Sequence, residues 1–197
     1  MLPEICVSLP SWIEQFIETA PGVFRDVDEQ MRFVIALARL NVQHGNGGPF
    51  AAAVFDEKGR LVAPGINMVT ASNCSVLHAE IVALMLAQKV LARYDLSDGN
   101  RQRYDLVATT EPCAMCFGAV PWSGVQHLVC GARDEDARAI GFDEGPKLPD
   151  WVSALNSRGI TVQRDVLREE AAAVLREYVA AGGVIYNAGR PGGVQQK

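Results

Sequence analysis

The chain of 197 residues has no long run of lysine and arginine, and its formal net charge is −5. Neutralising nucleic-acid phosphates takes clustered cations, so this balance argues against a nucleic acid as principal partner and favours a small, uncharged substrate. An unbroken apolar segment of membrane-spanning length is also missing. The longest charge-free stretch, Pro112 to Ala132, is interrupted by Pro121, Ser123, Gly124, Gln126 and His127, so it reads as helix, turn and strand, and no membrane association is expected. The first twenty residues lack a basic start and carry Glu4, Glu14 and Glu18, which predicts no secretory signal and a cytoplasmic location. Five cysteines is an odd number, and their density is too low for a disulfide scaffold. Neither an internal repeat nor a domain linker is visible.

What is present is an ordinary globular composition, 49% hydrophobic and 21% charged, in a chain long enough to bury roughly 70% of its unfolded surface. One domain over 1–197 is expected, with an accessory helix at about 1–22 and a glycine-rich, partly mobile tail at about 182–197. Asp26 followed by Glu29 marks a helix start, and Met31, Val34, Ile35, Leu37, Ala38 and Leu40 continue it until His44-Gly45. Phe50 to Phe55 and Arg60 to Ile66 read as a hairpin turning at Lys58-Gly59. A helix from near His78 to Leu91, with Ile81, Leu84, Met85 and Val90 inward, is followed by a strand at 104–109, a helix opened by Cys113 and ending near Trp122, and a strand at 125–130. A helix at 151–157, a strand at 160–164 and a helix at 166–181 complete the pattern. Strands alternating with helices predict an α/β fold of three α/β/α layers, its central sheet mixed but mostly parallel.

Two short clusters carry the chemistry. His78-Ala79-Glu80 is followed, 32 residues after Glu80, by Pro112-Cys113-Ala114-Met115-Cys116. One imidazole, two thiolates and a nearby carboxylate are what a catalytic Zn2+ needs if water is to fill its fourth position. Cys113 and Cys116 stand three apart at a helix start, on one face, where the helix dipole and the metal both favour thiolate. Glu80 lies two residues past His78, close enough to reach the water without occupying the metal, and its expected work is proton transfer. A structural zinc and a thiol redox pair are the bland alternatives. Neither motif shows a fourth protein ligand, although Cys74 or Cys130 could supply one, and Cys6 has no evident role.

H-x-E followed by P-C-x-x-C is the general signature of zinc-dependent nucleobase deaminases. Here the chain resembles the cytidine deaminase superfamily and, within it, the bacterial guanine deaminases. The likeness runs from about Gly45 to about Gly145, through Gly47-Gly48-Pro49-Phe50, the loop Asn67 to Asn73, H-A-E, E-P-C-A-M-C and Gly141-Phe142-Asp143-Glu144. The zinc motif is specific to the superfamily, and the flanking pieces carry the substrate. The resemblance implies that Phe50 stacks on a purine base, that Asn67 hydrogen-bonds its edge, and that Glu144 holds the reacting amidine-like edge and joins Glu80 in catalysis. The residues alone would make Phe50 core, Asn67 a loop former and Glu144 a solvated surface group. Trp122, after the cysteine helix, is a further candidate for the pocket wall. The chain departs from the family pattern at Ala51, at Cys74 and in its longer C-terminal segment, where Tyr186 is a possible cover for the site. A homodimer is expected by the same resemblance.

The leading expectation is hydrolysis of guanine to xanthine and ammonia. A tRNA adenosine deaminase shares both motifs, but a chain of this charge without a basic C-terminal helix is poorly suited to an anticodon loop. A deaminase of another small aminated ring, such as an aminotriazine, stays open. A non-catalytic zinc-stabilised binding module is the alternative from another class, and the presence of Glu80 speaks against it.

Overall fold

A computed structural model of the chain describes residues 6–97, 99 and 101–187. Most of the expected elements are present within one or two residues of their predicted bounds. Helices α1 (Trp12–Glu18) and α2 (Val27–Gln43) precede the hairpin β1 (Ala51–Asp56) and β2 (Leu61–Ile66). After these come α3 (Ala79–Val90), β3 (Tyr104–Thr110), α4 (Ala114–Ser123), β4 (His127–Ala132), α5 (Asp134–Ala139), α6 (Trp151–Asn156), β5 (Thr161–Gln163) and α7 (Arg168–Ala180). Asp26 caps α2 as its position foretold, accepting a hydrogen bond from the Glu29 amide at 2.8 Å. The helix α5 has no counterpart in the sequence reading. Its six residues are too few to show a period, and its signal is the acidic first turn Asp134, Glu135 and Asp136.

The five strands are ordered β2-β1-β3-β4-β5. β1 pairs antiparallel with both β2 and β3, whereas β3, β4 and β5 pair in parallel. Four strands therefore share one direction and β1 opposes them, a mixed, mostly parallel sheet. One detail differs from expectation: β2 and β3 run parallel but are not neighbours, because the return strand of the hairpin leaves β1 between them.

Alternation along the strands sorts the core into two halves. Ala53, Phe55, Val107 and Val129 face α2 and α7 through Met31, Val34, Leu37 and Leu175, while Ala52, Val54, Leu106 and Leu128 face α3, α4 and α6 through Ala83, Val120 and Leu155. Three layers result. Helix α3 lies directly on β2 because Gly65 has no side chain: a Cβ there would collide with the Ala79 carbonyl and the Ala83 amide. This close seat decides the phase of α3. The buried residues are Ala79, Glu80, Val82, Ala83, Leu84 and Ala87, with Ile81 at the margin. Met85 and Val90, expected inward, are 42% and 67% exposed. Small side chains make the contact, so reading by size alone rotates the helix. Of the C-terminal tail expected at 182–197, residues 188–197 lie outside the described residues, as do Glu4 and Asp98.

Candidate active site

Two helix starts converge at one end of the sheet. His78 is the N-cap residue of α3 and Cys113 that of α4, both in extended backbone (ψ 155° and 173°), and neither uses its side chain to cap its own helix. Both side chains are thus released toward a common point. His78 Nδ1 and Cys113 Sγ stand 3.5 Å apart, and with Cys116 Sγ all three donors lie within 4.8 Å of one another. Metal–ligand bonds of about 2.1 Å to nitrogen and 2.3 Å to sulfur at tetrahedral angles put such donors roughly 3.6 Å apart. The donor set fits a zinc ion in spacing and in chemistry.

The electrostatics point the same way. Cys113 is driven down to about 4, first by a hydrogen bond from Cys116 and then by His78, against the cost of burial. Cys116 moves in the opposite direction because it keeps the proton the pair shares and because it is buried. Burial alone would lower His78, but Cys113, Glu80 and Glu144 outweigh it and raise it. Glu80, 8% exposed, is pushed up to about 7 by burial and then by the Cys113 anion. Glu144, 7% exposed, is pushed up to about 8 by burial, then by Cys113 and Glu80. A surplus of buried negative charge around three donors is a place where a dication lowers the energy of every group at once.

A cavity of about 500 Å³ opens beside these donors. Its walls include His78, Cys113, Glu80, Phe50, Asn67 and Glu144, so every sequence-derived site residue is gathered there except Cys116, the fully buried third donor, and Trp122. The Trp122 expectation is corrected: its side chain is 86% exposed and does not line the cavity. On α4 the inward face is Cys116, Val120 and Ser123, and Trp122 lies about 200° round the helix from Val120.

Asn67 is fully buried, and it does form the loop, as its residue type suggests. Its Oδ1 accepts from Gly48 N at 3.1 Å and Val69 N at 3.3 Å, and Asn41 donates to its carbonyl at 3.0 Å. That leaves the Nδ2 donor buried without a hydrogen-bond partner among the described residues. Phe50 packs edge-on against Phe142 (5.0 Å), and Phe142 against Tyr186 (5.2 Å). Tyr186 thus takes the wall position that the sequence could only suggest. Asn187 fastens this segment, accepting from Asp143 N at 2.9 Å and donating to Gly141 O at 2.7 Å.

The walls also hold residues that sequence patterns do not single out, among them Phe142, Thr110 and Glu111. Phe142 bridges the two flanking rings, and Thr110 presents a buried hydroxyl with no partner. Glu111, 3% exposed, is bound by Arg164 Nε at 2.6 Å and by Asp134 N at 3.2 Å. Its signal was its place immediately before Pro112-Cys113.

The model of the cytidine and deoxycytidylate deaminase zinc-binding region matches residues 25–132. The chain is 38% identical to the guanine deaminase of Bacillus subtilis over 58% of its own length and 69% of that protein's. It is 29% identical to a tRNA-specific adenosine deaminase of Buchnera aphidicola, over 75% and 90%. Among solved structures, guanine deaminase from Nitrosomonas europaea superposes with a TM-score of 0.85 at 47% identity, covering 91% of this chain and 98% of that one. With the donor geometry and a family match across more than half its length, the chain belongs to the cytidine and deoxycytidylate deaminase family, whose cofactor is zinc.

Proposed function

We propose that this chain hydrolyses guanine to xanthine and ammonia, with His78, Cys113 and Cys116 holding the zinc ion and Glu80 and Glu144 acting on the substrate. The observation that carries the reading is the pairing, in one cavity, of a buried carboxylate at Glu144 with a buried, unpartnered amide donor at Asn67. Guanine offers a donor edge, N1–H beside the 2-amino group, and acceptors elsewhere on the ring, so a carboxylate and an amide N–H match it. Adenine and cytosine lack that pair of donors. The half-buried ring of Phe50 provides the flat surface for the base.

When bound, zinc supplies Lewis acidity that makes hydroxide available near neutral pH. Glu80 takes the first proton of the attacking water and passes it to a ring nitrogen, then takes the second proton from the same oxygen as the C2 carbonyl forms and delivers it to the departing exocyclic amine. A C2–O bond forms and the C2–N bond breaks, so guanine and water become xanthine and ammonia. Burial suits Glu80 to this work, because a carboxyl near neutrality both accepts and returns a proton. Glu144 grips the donor edge and keeps the reacting carbon in place.

The alternative of tRNA adenosine deamination meets the −5 charge, which disfavours an anionic partner. An aminotriazine with the same amino-amide edge would fit the same walls. Ammonia release from guanine, adenine, cytosine, cytidine, aminotriazines and tRNA tests the reading. Guanine turning over fastest supports it, and a preference for cytidine or tRNA overturns it. A homodimer in the cytoplasm completes the proposal. The exposed Met85 and Trp122 on the packed helices α3 and α4 suit an interface, and the free thiols suit a reducing compartment. Light scattering of the purified chain reads the oligomer directly.

A further inference from the structure

Lys147 stands outside the cavity, and the reaction has no direct use for it. Its side chain is only 7% exposed. The ammonium donates to the Pro112 carbonyl at 3.1 Å, pairs with Asp134 at 3.0 Å and with Glu111 at 3.6 Å, and lies 4.9 Å above the Trp151 ring. Burying a lysine is costly unless the charge is paired and hydrogen-bonded, and here the ammonium donates to one carbonyl and sits between two carboxylates. The carbonyl it holds belongs to the residue directly before the donor Cys113.

The other end of the same short segment holds the residue directly after Cys113. Ala114 N donates to the Glu144 carbonyl at 2.9 Å. Between the two anchors the chain turns tightly, with Lys147 N on Gly145 O at 3.1 Å and Gly145 at φ +69°. A Cβ on Gly145 would lie 3.0 Å from the Ala114 Cβ, so the turn sits directly against the first residue of α4.

We propose that Glu144 to Lys147 is a bracket around Cys113 that fixes the Glu144 carboxylate relative to the metal donors, with Lys147 as its positioning residue. The inference rests on the guanine reading for Glu144's role. It goes beyond that reading in assigning the placement of Glu144 to a lysine that touches neither metal nor substrate. Lys147 adds a second cation to Arg164 beside the buried Glu111. One cation serves both the E-P-C turn and the turn that carries Glu144, so the two move as one body.

The test uses the zinc-loaded protein and its cobalt-substituted form. In Lys147→Met the bracket loses its outer pin while His78, Cys113 and Cys116 are untouched. The expected result is kcat for guanine down about 10–100-fold, the cost of misplacing a reacting group by about an ångström. KM should stay within about threefold, with one zinc per chain and an unchanged cobalt–thiolate absorption spectrum. Because Lys147→Met leaves Glu111 and Asp134 with one cation fewer and can unfold the chain, Gly145→Ala supplies a charge-neutral disturbance of the same turn. The same signature is expected there, and that variant alone decides if Lys147→Met does not fold. Turnover within about threefold of wild type in the folded variants overturns the bracket, as does a loss of kcat matched by lost zinc or an altered cobalt spectrum. If the wild type itself releases no ammonia from guanine, the guanine reading fails separately. The bracket is then judged by a crystal structure of Gly145→Ala: a displaced Glu144 beside an unmoved Cys113 supports it, and an unmoved Glu144 overturns it.

Discussion

Two groups of aromatic rings in this molecule have nearly the same internal geometry and opposite roles. In the first, Phe24 meets Phe33 and Phe55 edge-on at 5.2 and 5.1 Å, and Phe16 stacks on Phe33 at 5.0 Å. In the second, Phe142 meets Phe50 and Tyr186 edge-on at 5.0 and 5.2 Å. The first group closes on the core: Phe24, Phe33 and Phe55 are 4%, 6% and 0% exposed, and the surface depression beside Phe24 and Phe33 is rimmed by Arg25 and Glu29, which bond to each other. The second is left open on one side to a cavity of about 500 Å³ that also holds the orphaned Asn67 Nδ2 and the Glu144 carboxyl. Ring packing alone does not make a receptor. What distinguishes the two is whether the surrounding loops bring buried polar atoms that find no partner among the described residues, since each such atom costs stability until something binds it.

The comparison breaks most clearly at its polar side. Glu80→Gln keeps shape and burial but cannot relay protons, so turnover should fall by about 10⁴-fold or more while elemental analysis still finds one zinc per chain. Activity within tenfold of wild type would refute the role. Phe33→Ala attacks the closed group instead and should cost about 3–5 kcal/mol, read from denaturant midpoints, with kcat of the folded fraction unchanged. A large loss of kcat in a stable Phe33→Ala would erase the distinction. Glu144→Ala should cost about 1.5–3 kcal/mol, roughly ten- to a hundredfold in kcat/KM for guanine, without releasing zinc. Unchanged guanine kinetics would remove Glu144 from the site. Phe50→Ala removes one face of the open group, with base stacking worth about 1–3 kcal/mol. Its penalty should appear in kcat/KM more than in stability, the reverse of Phe33→Ala. Trp122→Ala, outside both groups and on the proposed interface, should show its effect in self-association, read by light scattering, and leave zinc at one per chain.

How much of this was legible in the sequence depended on distance along the chain. The donors sit in two motifs of a few residues each, and a helix start is a local event that Asp26, His78 and Cys113 announce by residue type and position. The strands and the two-sided core followed from alternation and from the order of elements. What failed were questions of rotation and of reach. The face of α3 was set by Gly65 on another element, which no periodicity within 79–90 contains, and so Met85 and Val90 were turned the wrong way. Trp122 drew notice as a large ring near the cysteines, yet its angle on α4 carries it to solvent. Glu144 and Asn67 needed the family likeness, because an acid in a glycine-bounded loop and an asparagine in a polar loop look like ordinary surface until the fold buries them. Phe142, Thr110 and Glu111 become wall residues only when three distant stretches meet.

The walls of the cavity are laid down in a definite order as the chain is made from its N-terminus. Phe50, Asn67, His78, Glu80, Cys113 and Cys116 have all been synthesised by residue 116, and Phe142, Glu144 and Tyr186 come after. The residues that handle water, His78, Glu80, Cys113 and Cys116, therefore lie together between the substrate-facing Phe50 and Asn67 on one side and Phe142, Glu144 and Tyr186 on the other. A crossover in the glycine-marked turn at Gly141 would leave the first set intact and exchange the second. On this layout a lineage can alter the edge of the base that Glu144 grips by exchanging the segment after Gly141, and keep both Asn67 and the water chemistry it already has.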